Sequence, residues 1–296
     1  MRLRDLRACF ALTLLSPVAA AQTVTWLSPE RFTTRAGSDC PVRWESTDPH
    51  GRSYGEWTDS DISWLFLRNG GSQRNFGDRS FESQTFQAER IAQLTIAGPG
   101  VAMVGIDRAE RIESVSSKEL SSFLSQRVAP GSYPDLVPQP TVSAPLNVRR
   151  IESAKLLLGV IDDTGRVQPS PVASSKAGQP CEIRPLLDPT RGPFGGDLPL
   201  RVYLPGGSAG VRVLATHVAT GRVQESTTDP DGLGHFRLSA AGVWRVEAHR
   251  AIYATASSIP EWEIQSATLT FDVPGPRGAS DDAGEGQPER DLKGDH

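Results

Sequence analysis

The chain has 296 residues and a formal net charge of -4, with 23 prolines and 28 glycines. An acidic balance disfavours nucleic acid and anionic membrane surfaces as partners. That length and that number of turn formers suit two β-rich domains.

The opening "MRLRDLRACFALTLLSPVAAAQT" sets Arg2, Arg4 and Arg7 before a short apolar run and then small residues. Ala19 and Ala21 fit a small-residue cleavage site, so residues 1–21 are expected to be a secretory signal peptide. The apolar run is too short to span a membrane. Cys9 lies inside it and does not read as a lipid-attachment cysteine. No later stretch is long and apolar enough to cross a bilayer, so the mature chain is expected to be periplasmic or secreted. Two cysteines survive processing, Cys40 in "GSDCPVRW" and Cys181 in "GQPCEIRP". Each stands at a strand entry after a glycine-containing turn. An even pair in an oxidising compartment is expected to form a disulfide.

Residues 22–116 read as a first β domain. "TVTWLSPERFTTRAGSDCPVRWES" gives short strands with a turn at Ala36 and Gly37, and "ISWLFLRNGG" gives a strand ending in a turn. "IAQLTIAGPGVAMVGIDR" reads as a hairpin bent at its Gly-Pro-Gly. Residues 117–177 read as a helix and a proline-rich connector. "SSKELSSFLSQRV" has a serine cap and Leu120, Phe123 and Leu124 on one helical face. "NVRRIESAKLLLGVID" fits a short helix or a strand, because periodicity alone does not separate them.

Residues 178–273 read as a C-terminal sandwich of seven short strands: 181–187, 198–204, 210–218, 222–229, 234–240, 243–253 and 264–273. The expected fold is mainly β, with two immunoglobulin-like or transthyretin-like sandwiches around a short helical middle segment. Residues 274–296 are polar and acidic, and are expected to be disordered.

The stretch "TTDPDGLGHFRLSAAGVWRVEAHR" carries two of the five histidines. Alternation puts Phe236, Leu238, Trp244 and Val246 on one face and His235 and His249 on the other. These two are solvated surface histidines or, on a sharper reading, ligands on an exposed sheet face. Trp26, Trp44, Trp64 and Trp244 read as core aromatics. Trp57 and Trp262 are the candidates for stacking on a ligand. Asp188 in "RPLLDPT" reads as a turn residue bonding backbone amides. His50, among Asp48, Glu56, Asp59 and Asp61, marks an acidic loop that could take a cation.

The sequence lacks the H-E-x-x-H spacing of a zinc peptidase. No stretch reads as the strand-to-helix nucleophile elbow of an α/β-hydrolase. "GPGVAMVG" lacks the following Lys-Ser/Thr of a phosphate loop. The cysteines lack zinc-finger spacing.

The blocks "GQPCEIRPLLDPTRGPFGGDLPLRVYLPGG", "AGVRVLATHVATG", "TTDPDGLGHFRLSAAGVWRVEAHR" and "EWEIQSATLTFDV" resemble, in order, a family of bacterial exported proteins. Members are often described as periplasmic components of nickel/cobalt uptake systems. "TWLSPERFTTRAGSDCPVRW" and "LTIAGPGVAMVGIDRAERIESVSSKELSSFL" resemble that family's first domain, and "RRIESAKLLLGV" its middle segment. The resemblance implies a non-enzymatic binding protein of the envelope that handles Ni²⁺ or Co²⁺ and works with an envelope transport or partner protein. It implies His249 as a metal ligand. Many members carry a His-Asp pair before the first tryptophan, where this chain has Gln22 and Thr23. The alternative is an envelope module that binds a protein or a glycan without metal.

Overall fold

The computed structural model describes residues 24–48, 51–54, 62–76, 91–133, 145–191, 195–254 and 260–275. The fold is mainly β with one short helix. The first sheet holds β1 (Val24–Pro29), β3 (Asp39–Asp48), β4 (Gly51–Tyr54) and β7 (Ile91–Thr95). β3 pairs antiparallel with β1, β4 and β7. A second small sheet runs β11 (Glu182–Pro185), β12 (Asp197–Tyr203), β15 (Leu233–Arg237).

Between them lies one long ladder. Its order is β14 (Arg222–Thr227), β13 (Arg212–His217), β16 (Gly242–Tyr253), β17 (Trp262–Val273), β10 (Leu146–Ile161), β8 (Gly100–Arg108), β5 (Ile62–Asn69), β6 (Ser72–Phe76). Two short strands, β2 (Thr33–Arg35) and β9 (Arg111–Val115), also pair with β10. All seven expected C-terminal strands form. The turns match their residues: Gly37 and Gly232 adopt φ of 79° and 78°, a region open to glycine.

Residues 146–161 belong to the sheet rather than to a connector. β10 pairs parallel with β17 over Val148–Leu156 and antiparallel with β8 over Leu157–Val160. It is covered on both faces, and this hides the alternation that marks a half-buried strand. Leu156, Leu158 and Val160 enter one hydrophobic cluster with Leu27, Trp44 and Val104. Leu157, between them, enters another with Met103, Ile183, Val202 and Leu269. Successive residues of a strand point to opposite faces. The first sheet therefore packs on one face of the ladder and the β11–β12–β15 sheet on the other.

The expected hairpin at "IAQLTIAGPGVAMVGIDR" is corrected. β7 pairs with β3 in the first sheet, while β8 pairs with β5 and β10 in the ladder. The Gly-Pro-Gly carries the chain from one sheet to the other. Within the ladder Phe66 lies opposite Gly105, where an added Cβ would sit 2.2 Å from its ring.

The helix α1 (Ser117–Arg127) forms as its sequence dictates. Ser116 and Glu119 make a reciprocal capping box, and Leu120, Phe123 and Leu124 are buried. At its other end Arg212 Nη1 donates to the Gln126 carbonyl at 3.0 Å, satisfying a terminal acceptor. The buried face of α1 joins Val115, Val148, Ala251, Trp262 and Ile264 in a third cluster.

Candidate functional site

His249 was expected on an exposed face, and the structure corrects this. The alternation is right, since Trp244, Val246 and Ala248 face the other way. The second face is not solvated, because α1 lies over it. His249 is 2% exposed, and Phe123 of α1 stands edge-on to its ring at 5.3 Å between centroids. Its Nδ1 and the Ser266 hydroxyl are 2.9 Å apart. Its Nε2 lies 3.8 Å from Glu247 Oε2. Glu247 is fully enclosed and accepts from Arg127 of α1. Burial, with Arg127 nearby, pushes the His249 pKa down to about 3, so the ring is neutral.

A larger ionic seam continues along this face. Glu152 Oε2 accepts from Arg111 at 2.6 Å and from Arg108 at 3.1 Å, and Glu113 accepts from Arg150 at 2.6 Å. Burial opposes the Glu152 charge, but Arg111, Arg150 and Arg108 outweigh it and hold the pKa at about 2. These partners tie β8, β9 and β10 together. Among the described residues no three His, Cys, Asp or Glu side chains converge as a metal site.

The expected disulfide is contradicted. Cys40 and Cys181 are both free and buried. Cys40 packs with Leu27, Val42 and Trp44, whereas Cys181 packs with Met103, Leu157 and Ile183 on the opposite face of the ladder. A continuous sheet separates the two sulfurs. Burial pushes both thiols up, to about 11 for Cys40 and about 12 for Cys181, so neither is a ready thiolate.

Beside Cys181 the interior holds charge. Lys155 Nζ donates to Glu182 Oε1 at 2.8 Å, and Glu182 also accepts from the amides of Ala177 and Gly178. Burial wins at Lys155 and lowers its pKa. At Glu182 burial is outweighed by Lys155 and the two amides, and the carboxylate stays below its usual range. Asp107 accepts from Gln179 Nε2 at 2.9 Å, yet burial pushes it up to about 6.

The remaining candidates separate cleanly. Trp26, Trp44 and Trp244 are buried as expected, and Trp64 is half-buried. Trp262, a candidate for stacking on a ligand, is instead fully buried under α1. Asp188 does shape its turn, accepting from the amide and hydroxyl of Thr190. His235 is exposed, and His217 is held between Thr220 and the Ala241 carbonyl. Asp48 ends β3, opposite Gly51, whereas His50, Glu56, Trp57, Asp59 and Asp61 lie outside the described residues. The pentapeptide Gly206–Gly210 matches G-x-S-x-G in residue type. It forms the turn between β12 and β13, where Ser208 Oγ accepts from the Leu204 amide, so it is no strand-to-helix elbow.

A cleft of about 510 Å³ is lined by Thr33, Thr34 and Arg35 on one side and Ser38, Asp39 and Pro41 on the other. It exists because the chain changes sheet. β1 leaves β3 after the Pro29–Val42 pair, and Glu30 N makes a last bond to the Pro41 carbonyl. The chain then joins β10 as β2. The Phe32 carbonyl accepts from Gly159, so strand alternation turns the main-chain groups of Thr33 the other way, into the cleft. Ser38 bonds toward Ile96, which likewise turns Asp39 toward the cleft. Two short strand edges thus face each other across open space. Glu30, Arg31, Arg35 and Asp39 give the rim mixed charge.

No protein-family model matches the chain, and no curated protein matches it in sequence. Among solved structures, murine CEACAM1b is similar with a TM-score of 0.20 and 6% identity, over 85% of this chain and 100% of that one. The Clostridium thermocellum CbhA fibronectin(III)-like modules give 0.17 and 10%, over 83% and 93%. The Escherichia coli adhesin FdeC gives 0.20 and 16%, over 88% and 66%. Overlays at this level carry neither a fold nor a functional assignment.

Proposed function

We propose that the chain is an exported, non-enzymatic interaction module of the cell envelope, built from two immunoglobulin-like sandwiches fused through one ladder. The leader-like start supports export. The strand order supports the sandwiches: the sheet of β1, β3, β4 and β7 faces β6–β5–β8–β10, and β11–β12–β15 faces β14–β13–β16–β17. Each half sets a small antiparallel sheet of three or four strands against four strands of the ladder.

The observation that carries the interaction reading is the cleft at the strand change. Open main-chain groups on both walls suit an extended polypeptide segment, which would add as a strand. The mixed rim charge suits polar side chains at its ends. The nickel or cobalt reading has no comparable support, because His249 is enclosed beneath α1.

The test is to select peptides from a random displayed library on the mature protein and measure their affinity by fluorescence anisotropy. Thr33→Pro removes an amide that faces the cleft and spares the bonds to β10. A loss of about ten-fold or more in Thr33→Pro is the expected result. Unchanged affinity, or a library that yields no binder, overturns the reading.

A further inference from the structure

The outer face of the β11–β12–β15 sheet is cationic in an acidic chain. Arg184 on β11 lies directly opposite Arg201 on β12. Like charges placed opposite one another across a strand pair are destabilising. Here they stand without a carboxylate between them. Arg184 Nε donates to the Ser174 carbonyl, and Arg201 Nε is enclosed with no hydrogen-bond partner. Lys176 adds a third cation, with its ammonium 4.4 Å from the Tyr203 ring centre. Tyr203 is two residues from Arg201 and shares its face. Arg237 and His235 of β15 are exposed on the same face, and Asp197 opposite Arg237 is the acid beside them. The nearby acid Glu182 is already taken by Lys155 and two backbone amides.

We propose that this face docks an acidic polypeptide segment through Lys176, Arg184, Arg201 and Arg237, a surface separate from the β2–β3 cleft. Charge complementarity selects the partner's sign. The chain as a whole carries a net charge of -4 with this patch included, so the surface outside the patch repels a long polyanion. The patch is short. Arg184 to Arg201 is one strand spacing, and Arg201 to the Asp197–Arg237 pair is four residues, so it spans about 15 Å. An extended segment of about five residues covers that length. Pro199 and Leu233, half-buried on the same face, give an apolar floor between the cations. Such a floor suits acidic residues interleaved with apolar ones better than a uniformly charged glycan. Arginine's planar fork then binds each carboxylate through two parallel bonds.

The probe is a fluorescein-labelled peptide of alternating glutamate and valine, with heparin as the competing polyanion. Saturable peptide binding to the full mature protein, weakened ten-fold or more by Arg184→Glu with Arg201→Glu, is the expected result. Arg222→Glu on β14, in the other sheet, should leave it unchanged, and so should Thr33→Pro. If the double reversal lowers the thermal midpoint, Arg201→Gln reads the same contact without reversing charge and should still weaken binding. Three results overturn the proposal: no peptide binding at millimolar concentration, equal loss in Arg222→Glu, or binding of heparin alone. Because Thr33 lies in the cleft, failure of this face and failure of the cleft are separately visible.

Discussion

His249 and Asp107 are buried titratable groups whose effects on stability oppose each other. His249, facing Arg127, Glu247, Arg150, Glu152 and Arg245, has its pKa depressed to about 3 from the ordinary 6.5. Its unfolded form takes up a proton first, so stability present above pH 6.5 is lost as pH falls toward 3. Asp107, facing Gln179 and Ser153 with Glu182 nearby, is raised to about 6 from 3.8. Its folded form takes up a proton first, so acidification from pH 6 to 4 raises stability. Glu152, held at about 2, begins to cost stability only below its ordinary 4.5. Between pH 6 and 4.5 the two effects cancel in the wild type. Urea unfolding across that window should show a falling stability in Asp107→Asn and a rising one in His249→Gln, each approaching about 1.4 kcal/mol per pH unit. Parallel pH profiles in all three proteins would remove both assignments. The sequence showed that the two histidine positions avoid the face that carries Phe236, Leu238, Trp244 and Val246. It could not show that a helix 120 residues upstream covers one of them and leaves the other exposed, because alternation reports a side of a sheet and not what lies on that side.

At the scale of elements, α1 was legible because its signals are local. Ser116, Glu119 and the Leu120–Phe123–Leu124 face all lie within its own sequence. What anchors it was not legible: Arg127 reaches Glu247 on β16. Removing Arg127 leaves a buried carboxylate without its cation, so Arg127→Ala should cost about 3 kcal/mol in urea unfolding. Adding Glu247→Leu should recover most of that. A single variant that loses less than about 0.5 kcal/mol, or a double variant no better than the single, would contradict the anchoring role. β10 resisted reading for a related reason. Lys155, Arg150 and Glu152 interrupt its apolar run, yet each is buried, with partners on β11 and β9 and at Arg108 on β8. Polar residues mark a solvated strand only when nothing lies opposite to pair with them.

At the scale of the whole molecule, the C-terminal strands were readable from turns and alternation, because each is bounded by glycine, proline or aspartate. The pairing of cysteines was not. Two strand entries that look equivalent in sequence face opposite sides of one sheet, since the halves meet through parallel β10 and β17 with their small sheets on opposite faces. That seam joins the two halves in one continuous ladder, and it fixes the cleft and the cationic face relative to each other.

Native-state hydrogen exchange on the β10 amides of residues 148–156 tests the seam most directly. If the ladder is continuous, these amides exchange only through global unfolding, with the same free energy as the amides of β8 in one half and β16 in the other. If β10 exchanges through a lower-energy opening while either of those strands stays protected, the halves are separate units and the fused ladder is wrong.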